Sequence, residues 1–195
     1  MIFERGYFKS TVINESRIID SFKEARSFNS KTEYSYKPTV FLSHKHDDLE
    51  DARGIIGILE NLGAKVYVDS MDNKMPDQTS GETALRIKEV IKFCKKFILL
   101  ATDNAIESYW CNWELGIGDT YKYIDHIAIL PMKEIGTYDH NFGGNEYLQI
   151  YPRIEYNNEF TNLHHHTFKA GFYVPNPSAK DGTIYITELM EWLKQ

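Results

Sequence analysis

Thr39-Val40-Phe41-Leu42-Ser43 runs directly into His44-Lys45-His46-Asp47-Asp48, and Leu49, Ala52, Ile55, Ile56, Leu59 and Leu62 then recur at helical spacing. The first five residues suit a strand buried on both faces, because a sheet with one wet face would alternate apolar and polar side chains. The six that follow lay one apolar stripe along a helix, and Gly63 stands where a helix C-terminal glycine belongs. Lys65-Val66-Tyr67-Val68 reads as the second strand. Strand, helix and strand in close succession imply parallel neighbours joined by a crossover helix.

The alternation continues downstream. Thr79-x-x-Glu82 matches a capping box, and the helix it opens carries Ala84, Leu85, Ile87 and Ile91. Phe97 to Ala101 is a third strand, Ser108 to Tyr123 a helix, and Ile127 to Leu130 a fourth strand. Arg153 to Tyr156 is the expected fifth strand, and Glu188 to Lys194 a terminal helix. The predicted fold is therefore α/β: a flavodoxin-like, doubly wound, mostly parallel five-stranded sheet with helices on both faces. Residues 1–37 read as an N-terminal extension, with an amphipathic helix over Arg17 to Phe28 and a polar linker over Asn29 to Lys37. Residues 38–195 form the main domain, with a long insertion at about 157–182.

Composition narrows the function. A hydrophobic content of 42% and an aromatic content of 14% in 195 residues are ample for one buried core. No apolar run approaches the roughly 20 residues of a membrane span, and Met1 to Ser10 has no apolar signal core. A soluble, cytoplasmic protein without membrane contact is expected. The net charge of −6 argues against nonspecific nucleic-acid binding, which needs clustered Lys and Arg. Cys94 and Cys111 are expected as two reduced core thiols, with neither a disulfide framework nor a zinc site.

In open α/β sheets ligands bind beyond the carboxyl ends of the strands, which nominates Ser43, Asp69 and Thr102. The first strand is followed by none of the glycines of a dinucleotide fingerprint, and no Walker phosphate loop occurs. His164-His165-His166 reads as a polar loop, since adjacent residues rarely converge on one ion; no metal is expected. Asp47 and Asp48 read first as helix N-terminal acids. His44 and His46 flank the strand end and are weaker candidates for substrate contact.

Several of these stretches resemble the TIR (Toll/interleukin-1 receptor) domain. Val40-Phe41-Leu42-Ser43-His44 with Asp47 looks like the family's first box, and Asp69 to Ser80 lies where the family has its BB loop. Ser108-Tyr109-Trp110-Cys111-Asn112-Trp113-Glu114-Leu115 is similar to the signature of the family's catalytic helix, and Leu148 to Ile154 resembles its late segment. The resemblance covers roughly 38–156, and the Trp-Cys-x-x-Glu-Leu element is its most specific part. The chain departs from animal receptor domains in lacking a proline-glycine pair in the loop after Asp69.

The resemblance implies an NAD glycohydrolase or cyclase with Glu114 as the catalytic carboxylate. It implies a substrate pocket of Phe41, Ser43, Asp69 and Trp110, with Tyr67 nearby. NAD would be the substrate, with no cofactor besides. Self-association through the Asp69–Ser80 loop is implied too. The compact build resembles the signal-producing TIR proteins of Thoeris-type antiphage defence, where a separate effector protein would respond to the product. The other reading is a noncatalytic scaffold acting through TIR–TIR contacts. Trp113 and Leu115 are assigned to the core. The chemistry needs little equipment: nicotinamide is cationic in NAD and departs as a neutral molecule, so the second carboxylate of ordinary glycosidases is dispensable.

Overall fold

The computed structural model describes residues 2–10, 37–71, 80–137, 142, 145–162, 165–176 and 185–195. The helix expected over Arg17 to Phe28, most of the linker after it and most of the Asp69–Ser80 loop lie outside these residues. Five strands, β1 (Phe3–Glu4), β2 (Thr39–Ser43), β3 (Lys65–Tyr67), β4 (Lys96–Ala101) and β5 (Ile127–Lys133), form one parallel sheet in the order β1-β5-β4-β2-β3. Helices α1 (Leu49–Asn61), α2 (Gly81–Phe93), the short α3 (Asp103–Ile106) and α4 (Tyr109–Tyr121) connect them.

Side-chain alternation along β2 divides the core. Val40 and Leu42 point to the layer of α1, where they join Ile55, Ile56, Leu59, Ile98 and Leu100. Phe41 points to the opposite layer, with Phe97, Leu99, Ile87, Ile91, Cys111 and Leu115. Each layer is an apolar helix face closed against one face of the sheet. Gly63 ends α1 with φ +90°, a conformation that favours glycine. The capping box at the start of α2 is displaced by one residue from its expected place. Ser80 accepts from the Thr83 amide, and Thr83 Oγ1 accepts from the Ser80 amide at 3.1 Å. That register buries Thr83, Ile87, Val90 and Ile91 and leaves Leu85 67% exposed, so burial rather than the Thr-x-x-Glu pattern sets the helix start.

The fifth strand position is filled from the amino terminus instead of from Arg153–Tyr156. Phe3 and Glu4 pair with Met132 and Lys133. Residues near Arg153 make only a local bridge lower on the same edge: Ile129 N–H donates to the Pro152 carbonyl and Ile154 N–H to the Ile129 carbonyl, both at 2.8 Å. The chain then leaves the sheet as β6 (Glu155–Asn157). A hairpin of β7 (Phe160–Thr161) and β8 (Thr167–Phe168) follows, then β9 (Gly171–Asn176), β10 (Tyr185–Glu188) and the terminal helix α5 (Leu189–Lys194). Strands β6, β9 and β10 make a small antiparallel sheet, so part of the expected insertion is ordered structure.

Residues 3–8, expected to belong to an extension, are packed against the domain. Phe3 and Phe8 are fully buried and meet Phe172 of β9. Gly54 of α1 permits this, since a Cβ there would stand 2.3 Å from the Phe8 Cβ. Arg5 adds charge to the contact, with Nη2 2.7 Å from the Asp48 carboxylate and Nε 3.6 Å from Asp51. Asp51 also accepts from the Gly6 amide at 2.8 Å.

Candidate active site

Because β2 is extended, Phe41 and Ser43 share one face, and Ser43 stands two residues nearer the carboxyl edge. That face looks toward α4. Ser108 caps α4, its side chain accepting from the Cys111 amide, and Glu114 lies inward one turn beyond Trp110. The Ser43 hydroxyl donates to Glu114 Oε2 at 2.5 Å. Glu114 is 4% exposed. Burial, and then the charge of Asp69, push its carboxyl up to about 8, while the Ser43 hydrogen bond acts in the other direction. A buried carboxyl with so raised a pKa, opening on a cleft, is a candidate for a functional site and is not a solvated helix-surface group.

The cleft holds about 220 Å³. Its walls are His44, Lys45 and His46 after β2, Asp69 after β3, Thr83 and Ile87 of α2, and Ser108, Trp110, Cys111 and Glu114 around α4. Four residues proposed from sequence thus meet in one place: Ser43 through its bond to Glu114, and Asp69, Trp110 and Glu114 as walls. Trp110 is 39% exposed and sets its ring edge-on to Trp113, centroids 5.3 Å apart. An indole held by a neighbour and open on one side is a ready stacking surface.

Phe41 lies elsewhere. It is fully buried between Tyr67 and Phe97, with centroids at 5.6 and 5.5 Å, and does not line the cleft. Two residues of strand separate its ring from the mouth, so Phe41 supports the floor beneath Ser43, and Tyr67 is buried beside it. Thr102 is likewise internal: its hydroxyl donates to Asp48 at 2.5 Å and accepts from the Ala105 amide at 3.0 Å, capping α3. Trp113, assigned to the core from sequence, is 36% exposed, whereas Leu115 is buried. Asp48 is a buried ion-pair partner of Arg5, not only a helix N-terminal acid.

Cys94 and Cys111 are free and buried, and burial pushes their thiols up to about 12 and about 11. A protonated thiol is a poor nucleophile and a poor ligand, which leaves Cys111 as a wall of the cleft. His165 and His166 are exposed, and His164 lies outside the described residues. Among the described residues no cluster of three His, Cys, Asp or Glu side chains could hold a metal ion. No described helix is long and apolar enough to cross a membrane. Lys45 belongs to no motif in the sequence, and its one signal there is its place just past a strand's carboxyl end.

Comparison with known proteins agrees with this geometry. A protein of Bacillus cereus (strain MSX-D12) named "Probable 3' cyclic ADP-D-ribose synthase ThsB'" is 34% identical over 142 residues, 68% of this chain and 72% of its own length. One of Cytobacillus dafuensis named "Putative cyclic ADP-D-ribose synthase TIR2" is 29% identical over 100 residues, 50% of this chain and 26% of its own length. The sequence profile of the TIR domain matches residues 40–155, which takes in every strand of the sheet but β1 and the first residue of β2, and the whole of α4 with Trp110 and Glu114. On that match, and on a parallel sheet that brings Ser43 to Glu114, the chain belongs to the TIR domain family.

Proposed function

We infer that this chain cleaves NAD to nicotinamide and an ADP-ribose product, cyclic ADP-ribose among the products, and that it does so as the signal-producing enzyme of an antiphage defence. The observation that carries the reading is the buried Glu114 carboxyl, held by Ser43 at the foot of a cleft that Trp110 overlooks. The names of the two relatives, both cyclic ADP-D-ribose synthases, support the same chemistry.

The steps follow from charge. The nicotinamide ribosyl group enters as a cation, and a positive charge close to Glu114 favours its ionised form. Substrate binding therefore draws Glu114 toward the carboxylate that the reaction needs. As the glycosidic bond breaks, the positive charge passes from the nicotinamide ring to the ribose. A carboxylate fixed beside that ribose, out of water, stabilises the oxocarbenium-like transition state more than the ground state. Ser43 orients the carboxylate through its hydrogen bond. Trp110 stacks on an aromatic ring of the substrate, and Lys45 supplies a counter-charge for the diphosphate. NAD is substrate in this scheme, with no separate cofactor.

Self-association belongs to the same reading. The loop Asp69 to Ser80 joins the cleft wall at Asp69 to the start of α2, and Met71 and Met75 are adaptable contacts for a second copy. Specific activity rising with protein concentration is the expected outcome; a flat profile from a monomer seen by light scattering would place the whole site in one chain. A separate effector protein answering to the product completes the scheme. The direct test is incubation of the purified protein with NAD and mass resolution of the products. Nicotinamide with cyclic or linear ADP-ribose is expected; an inert protein that still assembles would leave a TIR scaffold.

A further inference from the structure

The cleft contains a second titratable side chain that the scheme above does not use. His44 follows Ser43 at the end of β2, is 7% exposed, and lines the same cleft as Glu114. Its Nδ1 is buried without a partner in hydrogen-bond geometry, whereas Nε2 lies 3.2 Å from the hydroxyl of Ser70, an exposed residue. Asp69 acts electrostatically on both His44 and Glu114, so the two share one charge environment.

We propose that His44 is the general base of ring closure: once nicotinamide has left, Nε2 accepts the proton of the ribose hydroxyl that attacks the anomeric carbon in place of water. This rests on the reading of the chain as an NAD cyclase and assigns a residue to its second step. The bond from the anomeric carbon to the nicotinamide nitrogen breaks, and its electron pair stays on that nitrogen. A lone pair of the hydroxyl oxygen forms the new bond to the same carbon. The hydroxyl proton passes to Nε2, and the imidazolium later gives it to water. NAD thus yields cyclic ADP-ribose, nicotinamide and one proton.

Three features suit His44 to that step. Burial holds its pKa below the ordinary imidazole range, with His46 acting the same way and Asp69 and Asp48 acting in opposition, so the ring is neutral and able to take a proton. The step uses the tautomer with its proton on the enclosed Nδ1, in which the Nε2 lone pair accepts from the Ser70 hydroxyl. Ser70 can then yield its place to a substrate hydroxyl. Third, the base matters more for closure than for hydrolysis. A ribose hydroxyl confined in a cleft has only protein acceptors for its proton, while an attacking water brings a hydrogen-bonded path to bulk solvent.

Arg5 protects this arrangement from behind. Its guanidinium, 2.7 Å from Asp48, offsets part of the charge of a carboxylate that raises the proton affinity of His44.

The test is the ratio of cyclic to linear product made from NAD. It is set within each turnover and does not depend on how much of a variant is folded. For His44→Gln the ratio is expected to fall by about two orders of magnitude, the lower end of what a positioned base contributes. In the unsubstituted protein it should hold at neutral pH and fall in acid, below the ordinary imidazole range. Arg5→Gln should move that fall to higher pH, since Asp48 would then act on His44 without its counter-charge. A His44→Gln ratio equal to that of the unsubstituted protein overturns the proposal, as does a ratio indifferent to acid. If Glu114→Gln still abolishes nicotinamide release in that case, the NAD reading survives and only the role of His44 is lost. An unsubstituted protein that makes linear product alone overturns the cyclase reading and this proposal with it.

Discussion

Lys96 and Glu114 are both ionisable side chains removed from water, and they stand at opposite ends of the sheet. Lys96 opens β4 at the amino edge, fully buried, with its ammonium 4.4 Å over the ring of Trp192 and no hydrogen-bond partner among the described residues. Glu114 meets Ser43 at the carboxyl edge. Burial drives each toward its neutral form, Lys96 down to about 8 and Glu114 up to about 8. Only their surroundings differ. Trp192, anchored by its indole N–H to the Asp125 carbonyl at 2.7 Å, covers Lys96, whereas Glu114 opens on a cleft walled by groups from three connections of the sheet. A perturbed ionisable group is common to both ends; a site also needs room for a ligand and polar groups converging on it.

Glu114→Gln is the sharpest way to break the comparison. Nicotinamide release should fall by at least two to three decades, the usual worth of a charge aimed at a developing cation. The same change should stabilise the fold in mild alkali. A carboxyl whose pKa is higher folded than unfolded contributes stability that is present below its unfolded value and lost as pH rises through about 8. Glutamine does not ionise, so thermal melts at pH 9 should favour the variant by a few kcal/mol, on the order expected for a shift of this size. A variant that cleaves NAD normally would remove Glu114 from the chemistry.

The pH profile tests the same carboxyl without mutation. Since free Glu114 must ionise to act, kcat/KM should rise about tenfold per pH unit up to about 8, then level off. The kcat profile, which reports the bound state, should rise at lower pH because the cationic substrate favours the carboxylate. Coincident profiles would mean that the nicotinamide ring does not approach Glu114.

Trp110→Ala should raise KM about tenfold with little change in kcat, because stacking holds substrate and transition state alike. Lower stability with unchanged kinetics would instead make Trp110 a packing partner of Trp113. The smallest effect is expected at the other end of the sheet. Lys96→Met should leave NAD cleavage alone and change stability at pH 7 by between zero and about 1 kcal/mol in the favourable direction, since a buried cation is exchanged for an apolar chain of similar length. A loss of several kcal/mol would show that the contact with Trp192 outweighs desolvation.

Much of this architecture could be read from residue order. Apolar runs such as Phe97 to Ala101 and helical stripes such as Leu49 to Leu62 are local, period-bearing patterns, and they returned the parallel sheet and its helices. The Trp-Cys-x-x-Glu-Leu element of α4 named Glu114 and Trp110 for the same reason: one helical turn separates them whatever the rest of the chain does. Long-range choices were not readable in that way. Phe3 and Glu4 form too short a strand to carry a period, and what places them on the edge of Met132 and Lys133 is contact with distant segments, the pairing itself and the burial of Phe3 and Phe8 against Phe172. Phe41 and Ser43 look equally near a strand end in the sequence, yet two residues of depth put one in the core and the other on the Glu114 carboxyl. His44 and Lys45 became walls of the cleft, and Trp113 a half-open support for Trp110, because sheet, loop and helix converge there in space. Periodicity is a property of neighbours along the chain; depth, edge and cleft arise only once distant segments pack.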